Sequence, residues 1–201
     1  MIDKKHVFVA IAVLLLVFSL PAAAQHHHVI LITIDGFAAY NLDDDSLLIP
    51  NLRQLMDSGV RTAGSETIFP SLTHPSHTTI ITGTTPGKHG VLGNTMYDRT
   101  TGKAYAVTNR PRSEAIHVPT IFDAAKKAGL STASFFWPET HADSSIDYNI
   151  PEILDDERAL TTGHLQGGFI GELKAAGIPN DLFPRSYDDP ELHNVSDLLL
   201  A

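Results

Sequence analysis

The sequence predicts an α/β fold on three observations. Val29-Ile30-Leu31-Ile32-Thr33-Ile34 is an unbroken, mostly β-branched apolar run that stops at Asp35-Gly36. Such a run is expected of a strand buried on both faces, as in a parallel sheet covered by helices. Segments with helical spacing, opened by Pro and closed by Gly, come after it. A second extended run, Ser131 to Trp137, then ends at Pro138. Strands alternating with helices define the α/β class, and the expectation is a mainly parallel central sheet with helices on both faces.

The elements follow in order. Pro50 to Ser58 predicts a helix, because Leu52, Leu55 and Met56 share one face and Gly59 suits its C-terminal end. Val60 to Ser71 predicts an extended connection. Pro75 to Thr82 predicts a helix with Pro75 at its first position and Gly83 at its end. Thr84 to Lys103 is rich in Gly, Pro and Thr and reads as a loop. Pro119 to Lys127 predicts a helix closed by Gly129, and Phe169 to Ala176 another before Gly177. Asp189-Pro190 reads as the cap and first residue of a last helix. The chain ends at Ala201 inside that apolar helical pattern, so the expectation is a truncated domain.

A chain of 201 residues with 43% hydrophobic content fits one globular domain or part of a larger one, and not a disordered protein. Its first 24 residues have the order of a secretory signal: Lys4 and Lys5, the apolar run Val7 to Leu20, then Pro21-Ala22-Ala23-Ala24 with cleavage after Ala24. The apolar run is short for a membrane span of about 20 residues. The expectation is therefore an exported chain, periplasmic or secreted, without a stable membrane anchor once the signal is cleaved. Residues 25–201 are left for the catalytic domain. There are no cysteines, so disulfides contribute nothing to stability. Without residues 1–24, 12 of the 14 basic and 22 of the 23 acidic side chains remain, a formal charge of −10. That balance argues against binding a nucleic-acid duplex, which needs a basic surface. It leaves a small phosphoester substrate open, because bound cations can reverse a local field.

Three residues are candidates for chemistry. Asp35 follows the first predicted strand, at the carboxyl edge where open α/β sheets bind ligands. It reads either as a hard ligand for a divalent cation or as the aspartate of an Asp-Gly turn. Thr73 lies just before the predicted helix at Pro75, facing free N–H groups and the positive end of the dipole. It reads either as part of a phosphate site with a nucleophilic hydroxyl or as a capping threonine. Asn94, beside Gly93, reads either as a donor to a phosphate oxygen or as a turn asparagine.

The order of the motifs is more specific than any one of them. The series runs Ile34-Asp35-Gly36-Phe37, Pro50-Asn51-Leu52, Gly59-Val60 and Phe69-Pro70-x-x-Thr73-x-Pro75-x-His77. Thr82-Gly83, His89-Gly90 and Asn94-x-Met96-Tyr97-Asp98 complete it. It resembles the N-terminal half of the nucleotide pyrophosphatases/phosphodiesterases of the alkaline phosphatase superfamily, and Phe136-Trp137-Pro138 is similar to a later family segment. The resemblance covers residues 29–140 most clearly. It implies an alkaline-phosphatase-like fold and a hydrolase acting on phosphodiester or pyrophosphate bonds of small substrates, nucleotides among them. By the same resemblance Asp35 is a metal-binding aspartate, Thr73 is both nucleophile and metal ligand, and Asn94 holds the phosphoryl oxygen. Two divalent ions, zinc in the family, are implied, one at the nucleophile and one at the developing charge.

His77 and His89 match family positions and read as structural histidines. His74 departs from the aromatic residue that the family often has there and is expected to alter the substrate pocket. The remaining family ligands, an Asp-x-x-Gly-His element, an Asp-His pair and a distant His, have no convincing counterpart, so the second-site ligands are expected to be absent from this chain. Asp189-Pro190-Glu191-Leu192-His193 has the Asp-to-His spacing but lacks a preceding strand and the glycine. The His26-His27-His28 run reads as a tail, Asp43-Asp44-Asp45 as a solvated loop, Asp155-Asp156-Glu157 as a surface charge run, and His141, Asp143 and Asp147 as a polar loop. Two alternatives stand beside the diesterase expectation: a catalytically inactive fragment, or a phosphomonoesterase or phosphonate hydrolase of the same superfamily.

Overall fold

The computed structural model describes residues 28–152 together with Gly171 and Ala175. The signal sequence, His26-His27, the acidic run 155–157 and the 189–193 segment lie outside the described residues. Of the expected helix from Phe169 to Ala176, Gly171 and Ala175 are helical and the rest lies outside. The chain divides into two compact units at Asp35/Gly36.

In the first unit, residues 29–34 form no ladder, and Val29, Ile30 and Ile32 are 95%, 82% and 73% exposed. This corrects the expectation of a strand buried on both faces. A strand exists only through the backbone groups it pairs with, and among the described residues no ladder includes this segment.

In the second unit, a 3-10 turn at Ala39–Asp43 precedes helix α1, Pro50–Ser58, whose bounds match the expectation. Gly59 ends it without a left-handed backbone (φ −117°). A Cβ there would sit 2.8 Å from the Leu55 carbonyl oxygen, which is the reason for glycine at this position. Helix α2 spans Thr73–Thr82, and Gly83 closes it at φ +63°, its N–H donating to the Thr79 carbonyl.

The expected loop after α2 is structured. It holds the short helix α3, Pro86–His89, and the first strand of an antiparallel hairpin, β1 Thr95–Asp98 with β2 Lys103–Ala106. The Asp98 carboxylate accepts the N–H groups of Thr100 and Thr101, and Gly102 supplies the positive φ (+70°) that the turn needs. A 3-10 turn at Val107–Asn109 and helix α4, Arg112–Ala115, follow.

Helix α5 spans Ile121–Lys127 and starts two residues later than expected, because Thr120 and Asp123 form a capping box. Strand β3, Ala133–Phe135, pairs in parallel with β4, Tyr148–Ile150. The described residues thus hold one antiparallel and one parallel two-stranded sheet. The α/β class holds at this level.

The apolar core gathers Ile81 of α2, Val91, Val107, Ala115, Ile116 and Trp137, with Met96, Tyr105, Val118 and Phe122 packed against it. The buried face of α2 is unusual. Its residues 74, 77, 78 and 81 have the i, i+3, i+4, i+7 spacing of a core stripe, but three of the four are His74, His77 and Thr78. Hydrogen bonds must therefore hold this helix where apolar packing would ordinarily do so.

Candidate functional site at the start of helix α2

Thr73 is the first residue of α2, with Leu72 as its extended cap (φ −109°, ψ 157°). This corrects the expectation that Thr73 precedes the first turn and that Pro75 opens the helix. The first-turn N–H groups have no acceptor within the helix, so proline is tolerated at the third position as well as the first. Pro75 carries no N–H, and the His74 N–H donates to Asn94 Oδ1 at 3.0 Å. Asn94 therefore acts as a helix cap from a distant segment. Its own carbonyl accepts the Val107 N–H at 3.1 Å, which anchors it at the base of the hairpin. A backbone donor requires the amide oxygen to face His74, so the Asn94 NH2 group is left as the donor on the other side of the amide. The structure thus brings Thr73 and Asn94 to one helix end.

The two histidines expected to be structural are engaged in local hydrogen bonds. His77 Nδ1 donates to the Thr73 carbonyl at 2.8 Å, and its ring meets Trp137 edge-on at 5.0 Å. His89 is fully buried, and its Nδ1 accepts the Val91 N–H at 3.2 Å. Its Nε2–H therefore donates to Thr79 Oγ1 at 3.0 Å, tying α3 to α2. Burial lowers the His89 pKa from its ordinary 6.5. Gly90 follows at φ +93° with the His117 ring against it, a Cβ there lying 2.6 Å from His117 Nδ1.

Sequence reasoning noticed His74 only as a departure and passed over its partners. His74 is 2% exposed and turned inward. Its Nδ1 lies 2.9 Å from Oε1 of Glu139. Its Nε2 lies 3.5 Å from Oε2 of Glu152. Thr78 Oγ1 donates to Glu139 Oε2 at 3.1 Å. The one signal in the sequence was a charged residue, Glu139, directly after the apolar Phe136-Trp137-Pro138.

Other acidic residues serve the local structure. Asp43 and Asp45 face Arg61 and Arg53, and Asp44 accepts from Ser46, whose hydroxyl holds its carboxyl below the ordinary value. Asp143 accepts from Ser145 and faces Arg112 at 3.7 Å. Asp147 pairs with Lys126 and accepts the Thr132 N–H, which hold its carboxyl low.

Asp35 ends the first unit, exposed in the turn that Gly36 completes at φ +68°. Among the described residues no three His, Cys, Asp or Glu side chains converge on one point. A zinc site takes three or more protein ligands. The described residues therefore do not fit a complete zinc site.

The profile of the type I phosphodiesterase / nucleotide pyrophosphatase family matches residues 29–194. The chain is 33% identical over 135 residues to ectonucleotide pyrophosphatase/phosphodiesterase family member 3 of Rattus norvegicus, covering 66% of this chain and 15% of that protein. It is 30% identical over 221 residues to the venom phosphodiesterase CdcPDE of Crotalus durissus collilineatus, covering 90% of this chain and 26% of the relative. Among solved structures it is similar to murine ectonucleotide pyrophosphatase/phosphodiesterase 5, with a TM-score of 0.46, 23% identity, and 56% of this chain and 30% of that one covered. The chain belongs to the type I phosphodiesterase / nucleotide pyrophosphatase family. It spans about 15% of the length of the mammalian relatives that it matches at 33% identity.

Proposed function

We propose that this chain carries the nucleophile-bearing part of a hydrolase of phosphodiester or pyrophosphate bonds, with Thr73 as nucleophile and Asn94 as donor to a non-bridging phosphoryl oxygen. One observation supports this above the others. The hydrogen bond from the His74 N–H to Asn94 Oδ1 leaves the Asn94 NH2 group as a donor at the helix end that Thr73 opens. Thr73 Oγ1 gives up its proton to solvent and forms a bond to phosphorus as the leaving-group oxygen departs with the electrons of its own bond; water then bonds to phosphorus, the Oγ1–P bond breaks, and a proton from that water restores the threonine hydroxyl. The Asn94 donor and the positive end of α2 favour the charge that builds on the phosphoryl oxygens.

Family membership supports the reaction class. The relatives' names point to nucleotides and related small phosphoesters as substrates. Asp35 and Thr73 would each offer one oxygen ligand to divalent ions such as zinc, and the other ligands are not found among the described residues. In this reading residues 25–201 are the N-terminal part of an alkaline-phosphatase-like catalytic domain. A mainly parallel sheet carries it, and a signal peptide, residues 1–24, exports it to the periplasm or medium. Among the described residues no helix is long and apolar enough to cross a membrane.

The test uses the full chain with zinc supplied and bis(p-nitrophenyl) phosphate as substrate. Nitrophenol release that disappears in Thr73→Ala, with a phosphoryl adduct on the peptide holding Thr73, is the expected result. Turnover undiminished in Thr73→Ala refutes the assignment. Faster release from p-nitrophenyl phosphate than from the diester turns it to a monoesterase.

A further inference from the structure

The loop from Phe136 to Asp147 joins β3 to β4 and contains three non-glycine residues at positive φ: Phe136 at 52°, Glu139 at 56° and Ala142 at 53°. Non-glycine residues are rarely held there unless their surroundings over-determine them. Glu139 is the most constrained of the three. Its side chain is fully buried, and a buried carboxylate is costly unless it is paired. Its Oε1 faces the His74 ring at 2.9 Å, and its Oε2 accepts from Thr78 at 3.1 Å. Its own N–H donates to Thr108 Oγ1, whose hydroxyl donates to the carbonyl of Glu152, and Glu152 faces the other side of the His74 ring.

Residue 74 is thus held at two points. Its backbone N–H is fixed by Asn94, and its side chain by Glu139. Two fixed points set the orientation of the peptide that joins residues 73 and 74. That peptide carries the candidate nucleophile. An apolar residue at 139 would leave the buried Thr78 hydroxyl and the His74 ring without this partner.

We infer that Glu139 is a positioning residue. By gripping His74 and Thr78 it fixes the first turn of α2, and with it the direction of the Thr73 hydroxyl relative to the Asn94 amide. The inference rests on the proposed function for its catalytic consequence, but its structural content stands apart from that reading. His74, which on sequence grounds was expected to alter the substrate pocket, is in this account an anchor beneath it.

The test compares Glu139→Gln with the unaltered full chain by amide hydrogen exchange and by steady-state kinetics. Exchange at the His74 and Ser76 amides is expected to rise about tenfold, because both report the first turn of α2, while Ala128 at the end of α5 keeps its rate. The kcat for bis(p-nitrophenyl) phosphate is expected to fall roughly 100-fold with KM within about twofold, as for a misplaced nucleophile. Thr78→Val removes only the hydroxyl and keeps the Glu139 carboxyl group. It decides the matter should Glu139→Gln not fold, with about a threefold rise at the same two amides. Unchanged exchange at His74 and Ser76, or an equal rise at Ala128, overturns the inference whatever the kinetics. Absent turnover in the unaltered chain counts against the proposed function alone, since the exchange measurements still decide the role of Glu139.

Discussion

Asn94 performs two tasks with two ends of one amide, and substitutions can separate them. Asn94→Ala removes the acceptor of the His74 N–H and the donor proposed for phosphate. Losing a helix cap costs about 1 kcal/mol, which for a domain of this size lowers Tm by about 2–4 °C. Asn94→Asp keeps an acceptor in the same place. It adds negative charge at the positive end of α2, worth about 0.5 kcal/mol in favour of the fold and partly offset by the half-buried position of the side chain. Its stability is therefore expected to match or exceed that of the unaltered chain. Function moves the other way. Asn94→Asp has no N–H to donate and presents a like charge to the phosphoryl group, so both variants lose roughly 100-fold in diester hydrolysis. Urea unfolding followed by far-UV circular dichroism gives the stabilities, and nitrophenol release gives the rates. Asn94→Asp unfolding as readily as Asn94→Ala would show that the Oδ1 contact is not a cap. The inference about the direction of the NH2 group would then fail with it.

Two further outcomes are expected. His89 is held neutral by burial, with a pKa below 6.5, so below that pH the unfolded chain binds a proton that the folded chain refuses. The stability it confers is complete above about pH 6.5 and declines as the pH falls through that value towards the folded pKa; urea midpoints at about pH 7.5 and about pH 5.5 should differ, and less so in His89→Gln. Gly90→Ala forces a side chain into φ +93° against the His117 ring and should cost about 2 kcal/mol in urea unfolding. Adding His117→Ala should recover only the contact share, and full recovery would mean that the backbone conformation itself carries no cost.

What was legible in the sequence was local. Helix α1 could be bounded because Pro50 and Gly59 punctuate it and Leu52, Leu55 and Met56 share a face. The end of α2 was legible for the same reason, through Gly83. Its start was misplaced because the first turn accepts proline at several positions. The hairpin was passed over because its strands are four residues each, too short for alternation to stand out beside a Gly- and Thr-rich background. The run at 29–34 shows the opposite failure: composition indicates that a segment favours a strand, but not what it pairs with. Glu139 was the least legible. Its contact with Thr78 spans 61 residues of sequence, and no period or spacing encodes a pairing of that kind.

Several residues of the motif series have a common physical basis. Thr73, His77 and Asn94 look like separate motifs along the chain, but the structure joins them at the start of α2, and His89 reaches the same helix in its last turn. His77 holds the carbonyl of Thr73, His89 holds Thr79 in the last turn of the helix, Gly90 gives room to the His117 ring, and Asn94 caps His74. Asn94, His77 and His89 each bind α2 at a polar atom, and α2 has little apolar surface of its own to hold it in place. A helix secured in this way tolerates few exchanges on its buried face, because every lost partner leaves a buried polar group unsatisfied. Helix α1 is secured differently, with none of its residues fully buried, and its sequence has no such constraint. Residue identity is therefore most tightly prescribed around the start of α2.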